Sequence, residues 1–208
     1  HNQDYTDFDH FLAGFSSRKR KKIRHERHIV ADAGVTLEVC SGAQMTPALW
    51  DVFYDFYHLT IRKHGAIPYL TRAFFHELGR NMPEYIVMIF AHHRSRPVAA
   101  ALNLRGPDTL YGRYWGGEDG YSGLHFETCY YRAIDYCIQH GLRRFEAGAQ
   151  GEHKLARGFL PVATYSAHWL SHPQFYQAVQ DYLRRERHGV ESYMTELNEH
   201  SPFKRDPV

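Results

Sequence analysis

Three strand-like segments follow one another closely in the middle of this chain, and they constrain its fold more than any other feature. Residues 85–91 (YIVMIFA), 97–104 (PVAAALNL) and 109–115 (TLYGRYW) are separated only by Arg94-Ser95-Arg96 and Gly106-Pro107-Asp108, residues with turn chemistry. Connections that short join antiparallel neighbours, because a parallel crossover needs a dozen or more residues. A three-stranded meander is the expected centre of the fold.

The flanking segments have helical or strand character. Residues 7–33 read as a helix broken near Ser16-Ser17, with Asp7 or Asp9 as cap and Gly34 as stop signal. Residues 35–40 (VTLEVC) alternate like a strand, and 45–64 read as a helix whose Trp50, Phe53, Tyr54 and Tyr57 share a core-facing side. Pro68 and Thr71 open a shorter helix to Gly79. After the meander the expectation is a helix over 124–140 closed by Gly141, a short strand at 143–146, another strand at 163–170, and a terminal helix from Pro173 to about His200. This order predicts an α+β fold, a mainly antiparallel sheet covered by helices, with residues 1–34 as a basic helical segment and 35–208 as the main domain.

Composition narrows the partners. The net charge is only +2 with histidine neutral, so the chain is no global polyelectrolyte, although its 16 histidines titrate between about pH 5 and 8. The positive charge is local: Arg18, Lys19, Arg20, Lys21, Lys22, Arg24 and Arg27 crowd one helix, which is either a solvated face or a surface for a phosphate-rich ligand. Cys40, Cys129 and Cys137 form no CxxC pair, and the last two are predicted about 12 Å apart along one helix, so reduced cytoplasmic thiols are expected. No run is apolar enough for a membrane span, and no membrane insertion is expected. The first residue is not methionine, which reads as a fragment of a longer protein or a trimmed chain.

Two blocks carry the chemistry. The first, 146–159 (EAGAQGEHKLARGF), sets Gln150, Glu152, His153, Lys154 and Arg157 between three glycines, so acid, base and cation lie where the backbone can turn sharply. The second, 111–131, holds Tyr111, Arg113, His125 and Glu127. Each block can be a solvated surface, and Glu127 can be simply an acid in the first turn of a helix. Two such blocks also suit a shared cleft. His125, Glu127 and Cys129 alternate and so do not share a helix face, which argues against a metal site.

The element order is that of GNAT acyltransferases, and the motifs SRKRKKIRHER, PYLT, LYGRYWG, LHFETCYY and GAQGEHKLARGFLPV resemble the FemAB-like family over nearly the whole chain. The resemblance implies a GNAT-like domain and an N-acyltransferase similar to the Fem peptidyltransferases, which have two such domains and transfer amino acids from aminoacyl-tRNA to the peptide stem of a cell-wall precursor. It implies that this chain corresponds to the second domain, with the first missing. By position the helix around Arg18, Lys19, Lys21 and Lys22, our candidate polyanion-binding surface, looks like the basic helix that opens the second domain in the Fem relatives, and Lys154 like the lysine near their reaction centre. Histidine replaces phenylalanine before that lysine, and Gly158-Phe159 is spaced differently.

On this reading Lys154 or Arg157 binds donor phosphate or the oxyanion, and Glu127, Glu152 or His153 takes the amine proton. Arg113, His125, Gln150, Arg157 and Tyr111 bind substrate. No cofactor is firmly implied, since aminoacyl-tRNA or acyl-CoA serves as donor and the acceptor is an amine-bearing small molecule or peptide. An acyl-CoA donor needs a glycine loop that cradles pyrophosphate, and the loop at 116–123 has the glycines but also Glu118 and Asp119, which repel phosphate unless they face away. The remaining alternative is a peptidoglycan or peptide recognition module without catalysis.

Overall fold

The structure, a computed structural model, describes residues 1–148 and 151–204. The chain divides into two compact units, His1–Gln150 and Gly151–Val208.

The first unit opens with α1 (Phe8–Ala13), whose cap Asp7 accepts a 2.7 Å hydrogen bond from the His10 amide, and α2 (Ser17–Asp32). Then come β1 (Val35–Ser41), α3 (Pro47–Lys63) and α4 (Arg72–Asn81), the two helices capped by the hydroxyls of Thr46 and Thr71. The expected meander is β2 (Ile86–His93), β3 (Arg96–Arg105) and β4 (Thr109–Gly117). A continuous helical stretch follows: α5 (Leu124–Phe126), a π-helical turn over Glu127–Tyr131, and α6 (Arg132–Gln139). Strand β5 (Arg144–Glu146) is the last regular element described in this unit.

The five strands lie in the order β1-β2-β3-β4-β5, antiparallel except for the parallel β4–β5 pair. Between β2 and β3, Arg94 and Ser95 both take positive φ (51° and 60°), the backbone of a two-residue turn whose twist matches that of the strands it joins. Alternation along β2 and β3 divides the core. Met88, Phe90, Ala100 and Leu102 pack under Trp50, Phe53, Tyr57 and Phe75 of α3 and α4, while Val87, Ile89 and Ala101 pack under Ala133, Tyr136 and Cys137 of α6. The sheet is therefore covered on both faces.

The predicted division at 34/35 does not coincide with the unit boundary at 150/151, since α2 belongs to the first unit. The second unit contains a 3₁₀ helix over Glu152–Arg157 and α7 (Pro173–Glu199). The strand predicted at 163–170 is not there: the segment takes no regular structure. Alternating sequence supplies a face for a sheet, but a strand also needs a neighbour for its backbone groups, and none is paired to this segment among the described residues.

Close approach of α3 to β4 fixes the geometry around the site. A Cβ on Gly116 would lie 2.1 Å from the Phe56 carbonyl oxygen, a backbone atom that cannot swing away. Gly116→Ala should therefore lower unfolding stability by about 1–3 kcal/mol through overpacking. Gly189→Ala in α7, where an added methyl meets nothing within 4 Å, should raise it by about 0.5–1 kcal/mol. Urea unfolding of both variants checks the contrast, and equal effects would show that the Gly116 approach does not constrain the fold.

Candidate functional site

Strand β4 runs nine residues, but its pairing with β5 covers only Thr109↔Arg144, Leu110↔Phe145 and Tyr111↔Glu146. From Gly112 onward the outer edge of β4 has no strand partner among the described residues. On its inner edge the register with β3 slips: Leu102 pairs with Tyr114 and Asn103 with Gly112, which leaves Arg113 as an extra residue bulged out of the ladder. Beside this edge is a cavity of about 120 Å³, lined by Gly112, Arg113, Tyr114, His125, Cys129 and Phe145 among others.

The sequence builds the other wall of the cavity with the helical stretch after β4. Gly123 at φ 77° turns the chain into α5, and the π-helical turn that follows widens the helix by one residue. The His125 ring sits with its centroid 5.1 Å from that of Trp115 and 5.4 Å from that of Tyr130, so predicted Arg113 and His125 line one cavity. Buried Asn103, unnoticed in the sequence, also lines it and is held by a 3.3 Å bond from its Nδ2 to the Val87 carbonyl. Tyr111 is partly exposed on β4.

The two acids of the 116–123 loop are both paired. Glu118 accepts two hydrogen bonds from Arg96, the longer at 2.8 Å, and Asp119 accepts one of 2.7 Å from Lys63. Their charge is compensated by neighbours rather than presented bare to the loop glycines.

Glu127 has a different setting from the one predicted for a proton acceptor. It is buried, and its carboxylate is gripped by Arg27 of α2, with Nη2 2.9 Å from Oε1 and Nε 3.1 Å from Oε2. The same Arg27 Nη2 donates to Asp135 at 2.8 Å, its guanidinium lies 4.3 Å from the centre of the Phe8 ring, and Tyr131 donates its hydroxyl hydrogen to Glu26. Burial pushes the Glu127 carboxyl above its ordinary range, against the pull of Arg27. This arrangement is a latch that ties α2 to the helical stretch. No local pattern links positions 100 residues apart.

The latch turns Ile23, Arg27 and Val30 inward and the cations of α2 outward. Arg18, Lys19 and Lys21 have no carboxylate partner among the described residues, and Lys22 lies 3.9 Å from Glu26.

In the second unit, the 3₁₀ helix gathers His153, Lys154 and Arg157 on a single short element. Gly151 at φ 104° precedes it and Gly158 at φ 92° closes it. Arg157 Nη1 donates to the His153 carbonyl at 2.7 Å. Burial, then the neighbouring Arg157 and Lys154 charges, lower the His153 pKa, so its ring is neutral at pH 7. Gln150 and the Glu152 side chain lie outside the described residues.

Residues 1–205 match the family described as FemAB-like, peptidoglycan biosynthesis/recognition. The chain belongs to that family. Comparison with curated proteins finds no match. Among solved structures, the FemAB-like chain is similar to the C-terminal domain of an Agrobacterium fabrum protein described as a lysylphosphatidylglycerol synthetase, with TM-score 0.50 and 13% identity over 64% of this chain and 43% of that one. FemX gives a TM-score of 0.48 at 11% identity over 67% of this chain and 48% of its own. A Clostridium acetobutylicum protein described as an acetyltransferase and solved with acetyl-CoA gives 0.47 at 12% identity over 65% and 96%. The chain thus spans less than half the length of the first two. The fold is α+β, a mainly antiparallel sheet with helices on both faces. No described helix is long and apolar enough to cross a membrane.

The latch makes a pH-dependent prediction. Arg27→Met leaves the Glu127 and Asp135 carboxylates without their shared cation and should cost about 3–5 kcal/mol at pH 7. A carboxyl whose folded pKa is raised favours the folded state below its unfolded pKa and loses that advantage as pH rises through the folded value. The penalty should therefore be small near pH 4 and grow toward pH 7. Denaturant unfolding at both pH values tests this, and a pH-independent penalty would mean that packing, not charge, holds α2.

Proposed function

We propose that this FemAB-like chain transfers an aminoacyl group from aminoacyl-tRNA to an amine on a peptidoglycan-precursor peptide. The observation that carries the reading is the edge of β4 that has no strand partner among the described residues, beside a cavity. Backbone N–H groups along such an edge are fixed donors, suited to a carbonyl oxygen that becomes an oxyanion when an amine attacks. The amine nitrogen bonds to the acyl carbon, the ester C–O bond breaks, and the amine proton passes through a base to the departing ribose hydroxyl. His153 is our candidate for that base because its lowered pKa leaves the ring neutral at pH 7. Lys154 is our candidate for holding donor phosphate or the developing negative charge, and the outward cations of α2 for following the tRNA backbone; Arg157, predicted to share the first role, is buried with Nη1 on the His153 carbonyl and instead braces the short helix.

A second reading, with acyl-CoA as donor, is favoured by one observation: Glu118 and Asp119 are compensated by Arg96 and Lys63, which removes the charge objection to phosphate at the 116–123 loop. Thermal-shift measurements with coenzyme A, acetyl-CoA and aminoacyl-tRNA separate the donors, since a ligand stabilises the folded state according to its concentration over Kd. The family description also includes recognition, and turnover decides whether this chain only binds.

Lys154→Met should lower kcat by about 10²–10³ if the ammonium stabilises the oxyanion, the scale of losing one such donor. If it only anchors donor phosphate, KM rises and kcat is largely kept. A variant equal to wild type in both constants removes Lys154 from the site. Separately, replacing Lys19, Lys21 and Lys22 with glutamine should weaken tRNA binding and flatten its log–log salt dependence by roughly 0.9 for each duplex phosphate no longer neutralised. Unchanged affinity and slope would dismiss α2 as the tRNA surface.

A further inference from the structure

We propose that Arg113, with the paired hydroxyls of Tyr69 and Tyr114, forms a recognition corner for a carboxylate carried by the amine acceptor. The inference rests on the proposed transfer only for the identity of the ligand as acceptor.

The bulge sets Arg113 apart. The arginines on neighbouring strands have partners: Arg96 with Glu118, Arg144 with Asp108, and Arg105 with the Tyr136 hydroxyl. Arg113 has no carboxylate partner among the described residues, is exposed, and lines the cavity at the unpaired edge of β4. As the extra residue between two ladder pairs, it is freed from the alternation that directs its neighbours, and its guanidinium lies 5.9 Å from the centre of the Tyr114 ring. That distance fits a cation resting against an aromatic face, which orients the guanidinium while leaving its N–H groups available.

The hydroxyls supply the second donor. Tyr69 and Tyr114 oxygens lie 2.9 Å apart, so one hydroxyl hydrogen joins them and the other is left for a third partner. Burial, and then the bond to Tyr69, push the Tyr114 pKa up to about 12, so the Tyr114 hydroxyl keeps its proton across the physiological range. Tyr69 comes from the exposed connection between α3 and α4, where it is 69% exposed, so the corner opens to solvent. A guanidinium, which only donates, beside a phenolic hydroxyl with a hydrogen to give suits an oxyanion, and its positive charge disfavours a cation. A lone guanidinium suits a singly charged carboxylate, whereas a polyphosphate calls for several cations. An acceptor with an amine to be acylated and a carboxylate nearby, as in a peptide, meets both requirements.

The test is equilibrium binding by isothermal titration. The probes are a lysine-containing tripeptide with a free C-terminal carboxylate, the same tripeptide amidated, and inorganic pyrophosphate. Wild type should bind the acid about tenfold tighter than the amide, the scale of one charge-assisted hydrogen-bond pair. Arg113→Gln should abolish that preference and leave pyrophosphate binding unchanged, and Tyr69→Phe should reduce the preference. Both positions are exposed, and unchanged unfolding midpoints confirm that the variants fold. If wild type shows no preference for the acid, or if Arg113→Gln weakens pyrophosphate while the peptides bind as before, the assignment is overturned, the latter result giving Arg113 to a phosphate. The readout does not use turnover: a preference abolished in Arg113→Gln upholds this corner even if no transfer is found, and retained transfer with no preference rejects the corner alone.

Discussion

The site depends on a strand pairing that, among the described residues, ends at Tyr111↔Glu146. Had β5 run alongside β4 to its end, every β4 N–H and C=O would be tied up in the sheet, and the edge would carry no chemistry. Only three residue pairs form among the described residues, and beyond them the edge faces a cavity whose far wall is helix. The other face of the same segment has no slack: α3 lies so near Gly116 that its backbone admits no side chain there. One segment is thus rigidly backed on one face and open along one edge, the combination that a preorganised donor array requires.

The bulge at Arg113 belongs to the same logic. A regular strand would alternate its side chains between the α3 face and the α6 face, and both faces are packed with core residues. Inserting one residue releases a charged side chain from that choice without disturbing the pairs on either side. It also brings Tyr111 and Tyr114 onto one face despite their odd spacing, opposite Leu104 and Leu102 on β3.

Charge on α2 is sorted by burial. Arg18 and Lys21 are exposed and Lys19 half-buried, none with a carboxylate partner among the described residues, while the inward Arg27 is shared by two carboxylates. Buried ion pairs seldom add much net stability, because desolvation offsets attraction, but they penalise wrong arrangements severely. The latch therefore sets where α2 sits and which way its basic face turns. Glu127, which looks like a candidate base when read with His125 as a local cluster, is committed to this role by both of its oxygens.

Much of the fold was legible in the sequence because its determinants are local. Turn residues between apolar runs specify the meander, Asp7 and Thr71 cap the helices they precede, and spacing alone assigns Trp50, Phe53 and Tyr57 to the core. Proximity along the chain also determines that His153, Lys154 and Arg157 share one short helix and lower the histidine's pKa. What only the tertiary structure decided depends on partners that a periodic pattern cannot name. Alternation at 163–170 predicts a strand, but no neighbouring strand among the described residues accepts it. A register slip against β3 singles out Arg113, although its sequence neighbours look like ordinary strand residues. The pairing of Arg27 with Glu127 joins residues 100 apart, a distance over which only folding brings charges together. Propensity and capping act within a few residues, whereas strand ends, bulges and buried ion pairs are settled by which distant surface arrives to meet them.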